Sequence, residues 1–319
     1  MMRVTPLHEL WVGSEKMLRT TVRAPGSCGE LVQGTIGGRD FLITCPINCY
    51  SDVTVELNIE NLDLQQGAKY EKANLAVDKT LQHFNQAQRK YRISVTSALP
   101  VGKGMASSSA DVSAAILATA NCLGHSISLR DIAKIALSIE PTDAVFFPGV
   151  MMFDHRWGRV CKYLGQPPEI EILVFDLGGQ IDTLFFNARA DLIEKNRQKE
   201  SIVTEAVSLV KEGIRQQDIK KIGKASTLSA LANQTILPKP KLEEMLHLVE
   251  RAGAIGINIA HSGTVVGIML EPQTSVSRAA LIKEVSEGFP WVRFLQEAKL
   301  IGGGLAITKD EEGPNDDDR

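Results

Sequence analysis

No apolar run in this sequence approaches the roughly 20 residues that span a bilayer. The longest, Ile172 to Phe175 and Val265 to Leu270, fall far short, so no membrane segment is expected. A secretory leader is not expected either, because Glu9, Glu15 and Lys16 interrupt any apolar stretch near Met1; the expected address is the cytoplasm. Basic tracts are absent: 35 Lys and Arg stand against 38 Asp and Glu, for a net charge of -3. That balance argues against a nucleic-acid partner, which would need clustered cations. Five cysteines (Cys28, Cys45, Cys49, Cys122, Cys161) form no C-x-x-C and are odd in number, which argues against a disulfide framework or a zinc site. Cys45 and Cys49 have no nearby His or second Cys pair, and buried small hydrophobes are the better reading. The histidines (His8, His83, His125, His155, His247, His261) show no ligand spacing, so any metal is expected to arrive with a substrate.

What is present is an ordinary globular composition, 44% hydrophobic and 23% charged over 319 residues. That length suits two lobes of roughly 150 residues each. Alternation places Val53, Val55, Leu57 and Ile59 on one strand face and Tyr91, Ile93 and Val95 on another. Between them Ala73, Ala76, Val77, Thr80, Leu81 and Phe84 recur at helical spacing over 70–88. An Ala-rich helix follows over 108–123, opening on serines suited to capping and stopping at Gly124. Ser128 and Asp131 open another in capping-box style, which Pro141 ends. Short strands are expected near 150–154 and 159–164. The stretch Gly165-Gln-Pro-Pro168 marks a lobe boundary. Beyond it the pattern gives a strand at 170–176, helices at 190–212, 217–232 and 241–252, and strands at 255–260, 264–270 and 304–308. The tail from Asp310 to Arg319 is acidic and expected to be disordered.

The chemistry concentrates in Pro100-Val-Gly-Lys-Gly-Met-Ala-Ser-Ser-Ser-Ala-Asp111, where glycines and hydroxyls lead from a strand into a helix. Such a loop suits an anion: glycines let successive N–H groups point inward, the helix start adds unpaired donors, and Lys103 adds charge. On composition alone, a loop that merely turns the chain and caps the helix explains it equally well. Neither common phosphate loop is present. No G-x-x-x-x-G-K-[ST] occurs, and after Gly102 and Gly104 the third glycine of G-x-G-x-x-G is missing.

The loop resembles the glycine-rich motif P-x-x-x-G-L-G-S-S-A-A of the galactokinase, homoserine kinase, mevalonate kinase and phosphomevalonate kinase superfamily, the GHMP kinases. Here it reads PVGKGMASSSA, with Met105 for leucine, Ala106 for the second glycine and Ser109 for the first alanine. Two more segments are similar to that family: Ala24-Pro-Gly-Ser-Cys-Gly-Glu-Leu-Val-Gln-Gly34, and a shortened third motif at Asn258 to Met269. In the first, Ser27 stands where a lysine or arginine is usual, with Lys103 and Arg23 as candidates to replace it. A strand-to-strand turn is the bland reading of Pro25 to Gly34, and a buried strand with a turn that of the third motif. Together with Ser138-Ile-Glu-Pro-Thr-Asp143, these motifs most closely resemble the L-threonine kinases of cobalamin synthesis and propanediol utilisation.

The resemblance implies an α+β fold of two lobes, a ribosomal-protein-S5-domain-2-like N-terminal lobe over 21–165 and a ferredoxin-like C-terminal lobe over 166–309, flanked by an extension (1–20) and a tail (310–319). It also implies ATP and Mg2+, a small amino-acid substrate, and transfer of phosphate to the threonine hydroxyl for the corrin side chain. Pro100, Gly102, Lys103, Gly104, Met105, Ala106, Ser107, Ser108 and Ser109 would hold ATP, and Ser108 and Glu140 the magnesium. Asp143 would act as general base with Lys103 as cationic helper, and Glu30, Gln33 and Asp143 would meet the substrate. At an ordinary carboxylate pKa near 4, Asp143 is ionised at neutral pH. The bland alternative is that Asp143 caps a turn and Glu140 is solvated. Homoserine or an isoprenoid alcohol as substrate, and a non-catalytic nucleotide sensor, remain open. A hydrolase built on Ser108 or Cys28 lacks G-x-S-x-G and a placed His.

Overall fold

The structure, a computed structural model, describes residues 19–58, 70–179, 191–272 and 277–308. Ile59, most of the N-terminal extension and the acidic tail lie outside the described residues. Two long strands dominate the N-terminal half, β1 (Arg19–Ile36) and β2 (Arg39–Leu57). Gly37 and Gly38 connect them, with φ of 58° and 72°. Positive φ at both central residues is what a tight two-residue hairpin demands, and only glycine adopts it without steric cost. The motif Ala24 to Gly34 is therefore no connecting turn. It lies inside β1, where register shifts between Pro25 and Gly26, Ser27 and Glu30, and Glu30 and Val32 kink the strand.

Next come α1 (Glu71–His83), β3 (Tyr91–Ser97), α2 (Ser107–Cys122), α3 (Leu129–Leu137), β4 (Val150–Phe153) and β5 (Cys161–Gly165). Helix α2 is buried nearly all round, through Ala110, Val112, Ala114, Ala115, Ile116 and Ala118. Its small residues let it sit between α1 and the β1–β2 pair, an arrangement unavailable to a helix with one polar face. The cap of α3 is as expected, with Ser128 Oγ accepting from Asp131 N at 3.1 Å.

The C-terminal half runs β6 (Glu171–Asp176), α4 (Leu192–Gln198), α5 (Glu200–Gln216), α6 (Ile219–Ala232), α7 (Leu242–Arg251), β7 (Gly256–Ile259), β8 (Val265–Leu270), α8 (Arg278–Gly288), β9 (Arg293–Lys299) and β10 (Ala306–Thr308). The β-α-β-β-α-β order, with strands arranged β7-β8-β6-β9, is the ferredoxin-like layout. The expected helix over 190–212 is two helices meeting at Lys199, and α5 continues to Gln216. Helix α8 and strand β9 have no counterpart in the expected pattern, because α8 buries only Leu281 and Val285 and β9 alternates weakly.

The two halves share one antiparallel sheet, ordered β5-β4-β2-β1-β7-β8-β6-β9, with β3 on β2 and β10 on β1. The halves join along β1, which pairs with β7 at Glu30 to Ile259 and with β10 from Thr21–Thr308 to Arg23–Ala306. Gly29, at φ 54°, makes the approach possible: a Cβ there would lie 2.4 Å from the carbonyl carbon of Ile259. A larger core packs α1, α2, α3 and α5 against β1 and β2, while a second packs α7 and α8 beneath β6, β7 and β8.

A second close approach ties the β7–β8 connection to the glycine-rich loop. The Lys103 carbonyl accepts from Thr264 N at 2.9 Å and Val265 N at 3.1 Å. A Cβ on Gly263 would meet Lys103 O at 2.2 Å and the Gly104 backbone at 2.4 Å. Backbone cannot rotate away as a side chain can, so Gly263→Ala should cost about 1–3 kcal/mol of stability in chemical denaturation. Gly288→Ala is the matched control. It would meet nothing nearer than 3.5 Å, and no measurable destabilisation is expected.

Candidate active site

The glycine-rich loop leaves β3 and enters α2 through two left-handed glycines, Gly102 (φ 74°) and Gly104 (φ 84°). The helix start differs from the expected serine cap. Ala106, at φ 55°, occupies the N-cap position and no side chain caps the helix. A left-handed conformation costs an alanine about 1–2 kcal/mol. What it leaves is a first helical turn whose N–H groups, from Ser107, Ser108 and Ser109, are not consumed by a side-chain cap and can meet an anion. The serine hydroxyls work elsewhere. Ser108 Oγ donates to Glu140 Oε1, and Ser109 Oγ accepts from Asp143 N at 2.9 Å.

These contacts draw the segment after α3 against the start of α2 and enclose a cavity of about 350 Å³. Gly102, Gly104, Met105, Ala106 and Ser107 to Ser109 line one side. Glu140, Pro141, Thr142 and Asp143 line another, with Glu30, Leu42, Lys72, Val101, His155, His261 and Ser262 completing the wall. Met105 and Leu42 are buried and contribute apolar surface.

Three carboxylates converge there, and each is held differently. Glu140 is far from solvated: its second oxygen receives the Lys72 ammonium. Asp143 precedes a single 3-10 turn, Ala144–Phe146, yet its side chain caps nothing. Burial, with the Glu140 charge as a smaller contribution, raises its pKa to about 6, above the ordinary value expected for it. Glu30 is raised well above the normal carboxylate range by burial and then by Asp143. Its Oε2 has no hydrogen-bond partner among the described residues. Two neighbouring carboxyls whose environments hold them at different proton affinities are a common arrangement for proton handling.

Some expected residues sit elsewhere. The ammonium of Lys103 points out of the cavity, onto Asp176 Oδ2 at 2.8 Å and Gly179 O at 2.9 Å. Asp176 is itself fixed by Thr264 Oγ1 at 2.5 Å and Gly178 N at 3.0 Å, so the Lys103 charge is already matched. Its main chain carries the clamp described above. Arg23, the other candidate to replace the cation missing at Ser27, forks onto Asp52 with both bonds at 2.8 Å. The cation that does line the cavity is Lys72, on α1. Nothing in its spacing marked it, because it meets Glu140 only through tertiary packing.

Pro100 lies outside the lining. Gln33 is also set back: its Oε1 accepts from His261 Nδ1 at 2.9 Å, and its own N donates to Ser229 Oγ at 3.0 Å. Gln33 thus orients a cavity-wall histidine. Burial holds His261 well below its ordinary pKa, helped by the positive charges of His155, Lys199, Lys239 and Arg156. It is therefore neutral, with the proton on Nδ1 where Gln33 accepts it. His155 packs edge-on against it, ring centroids 5.0 Å apart.

Comparison with known proteins agrees with this geometry. Residues 71–148 match the GHMP kinases N terminal domain, and 210–284 match GHMP kinases C terminal. The first covers α1, the glycine-rich loop and Asp143. The chain is 37% identical over 292 residues to the L-threonine kinase of Salmonella typhimurium, covering 89% of this chain and 94% of that protein. It is 35% identical over 252 residues to the L-threonine kinase of Citrobacter freundii, covering 78% and 85%. In fold it resembles the homoserine kinase of Cytophaga hutchinsonii, with a TM-score of 0.67 at 16% identity over 94% of this chain and 100% of that one. Family models on both halves, relatives along most of the length and the same two-part architecture lead to one assignment: this chain belongs to the GHMP kinases.

Proposed function

We propose that the protein transfers the γ-phosphate of ATP to the side-chain hydroxyl of L-threonine, giving ADP and L-threonine O-3-phosphate. The observation that carries this reading is the cavity itself, where uncapped helix N–H groups face Asp143 across a space sized for a small substrate. Relatives called L-threonine kinases, at 37% and 35% identity, support the choice of alcohol.

Phosphoryl transfer asks the protein mainly for positioning and charge neutralisation. The loop from Gly102 to Ser109 would cradle the phosphates through backbone N–H groups and the start of α2. Magnesium fits the donors present, because Ser108 and Glu140 place two hard oxygens side by side at the loop. No group of three His, Cys, Asp or Glu among the described residues is placed to hold a metal ion by itself, so Ser108 and Glu140 are the protein donors that would hold it beside the phosphates. When bound, it neutralises phosphate charge. Lys72, on the far oxygen of Glu140, holds that carboxylate in place.

Asp143 would accept the proton of the attacking hydroxyl. Its backbone N–H on Ser109 fixes its distance from the helix start, so the base and the phosphate cradle are set by adjacent serines. Glu30 would face the substrate ammonium, whose charge would draw Glu30 towards its ionised form.

Incubation with Mg-ATP and, separately, L-threonine, L-serine, L-homoserine or buffer should give threonine-dependent ADP release. Equal ADP in all four would remove threonine as substrate, and preference for homoserine would reassign it. Activity should also report Asp143: kcat/KM for threonine falls as pH drops through about 6, as this base protonates.

The same shift has a stability consequence. Folding raises this acid from 3.8 to about 6, so the folded state binds the proton more tightly than the unfolded chain. Its contribution to stability is present below about pH 4, fades as pH rises through 6, and leaves a buried charge at pH 7. Asp143→Asn removes that charge. Turnover should fall at least about 100-fold, while the melting temperature at pH 7 rises by about 2 °C or more.

A further inference from the structure

Part of the cavity is floored by a face of the sheet, and the strand register says which side chains share that face. Residues directly opposite each other in an antiparallel pair point to the same side, and so do residues two apart on one strand. Glu30 pairs with Thr44 and Gln33 with Leu42. Because Leu42 and Thr44 are two apart on β2, all four side chains stand on one face. The irregularity between Glu30 and Val32 makes this possible, since in a regular strand residues three apart face opposite ways. Gln33 gives the direction: its side chain meets His261 on the cavity wall. Leu42 therefore stands diagonal to Glu30, and both line the cavity.

Ordinary core packing does not account for Leu42. It is 3% exposed, yet it belongs to none of the hydrophobic clusters formed by the described residues. Its chain neighbours Phe41 and Ile43, which point to the other face, both belong to the larger core. On its own face the partners from β1 are polar, and Phe153 stands opposite on β4. The remaining apolar residues of the wall lie on the phosphate side: Val101, Met105 and Ala106 in the glycine-rich loop, and Pro141 directly after Glu140. Leu42 is the apolar side chain that the sheet supplies beside Glu30, and what fills the cavity there is what it can meet.

We infer that Leu42 reads the methyl group on the β-carbon of the substrate and so separates L-threonine from L-serine. The inference rests on the threonine reading given above and deepens it. The β-carbon of threonine carries a hydroxyl, a methyl and a hydrogen. With the hydroxyl directed to Asp143 and the ammonium to Glu30, which the Asp143 charge reaches, the handedness of that carbon fixes where the methyl goes. Leu42, on the same face as Glu30, is placed to receive it. Serine makes both polar contacts and forfeits only this one. A single carbon in an apolar contact is worth about 10–200-fold in discrimination.

The test measures kcat/KM by ADP release for L-threonine, L-serine and L-allo-threonine on the full chain. Wild-type protein should prefer threonine to serine by about tenfold or more, and should also prefer it to L-allo-threonine, whose methyl leaves the β-carbon on the opposite side. In Leu42→Ala the threonine-to-serine ratio should fall by about fivefold or more. Leu42→Val, one methylene shorter, should give an intermediate ratio and serves where the alanine variant folds poorly. Both substrates are assayed on one preparation, so lost folded protein lowers the two values alike and leaves their ratio unchanged. A wild-type ratio in both variants would overturn the role of Leu42. Equal use of threonine and serine, or of threonine and its epimer, by the wild-type protein would overturn it too while leaving the kinase reading intact. Wild-type protein that ignores threonine altogether would sink the threonine reading first, and the methyl contact with it.

Discussion

The contact on which the site depends is the one between two backbones with no side chain between them. The β7–β8 connection presses Gly263 against Lys103 and Gly104, and two N–H groups, from Thr264 and Val265, close on the Lys103 carbonyl. A glycine-rich loop on its own has too much conformational freedom to hold an anion. Here the distant half of the chain removes that freedom. The first motif joins the same junction, since Ser27 N donates to Met105 O at 3.0 Å and Gly29 N to Gly104 O at 3.2 Å. Three segments far apart in sequence thus share one function, to fix the path of the main chain before α2.

Once that path is fixed, the side chains follow. Strain at Ala106 exposes the helix start, Ser109 anchors Asp143, and Ser108 anchors Glu140. Burial then does the electrostatic work. It raises Asp143 and Glu30 and lowers His261. The acidic wall of the cavity comes from β1 and the segment after α3, and its lysine, Lys72, from α1.

How much of this the sequence disclosed depends on the range of the interaction. Local signals carried well: the Ser128 cap, the buried Ala-rich helix, and the glycine-rich loop with its neighbouring Glu140 and Asp143. Signals of backbone path carried poorly. Pro25 to Gly34 contains three glycines and a proline and suggests a turn, yet it is a bulged central strand held by β2 on one side and β7 on the other. Lysines were the hardest to place. Lys103 looks cationic and free in sequence, but Asp176, 73 residues on, claims it. Lys72 looks like a solvated helix residue until Glu140 is brought to it. Lys199 and Lys239 carry no mark of burial at all, because only tertiary packing removes them from water.

The continuous sheet has a mechanical meaning as well. Strand β1 is bonded to β2, β7 and β10 at once, so the two halves are not separate bodies joined by a tether. Bending them apart would tear sheet hydrogen bonds at Glu30, a residue that lines the cavity. The floor of this pocket is therefore a stiff spine, and substrates must enter and leave through the loops above it.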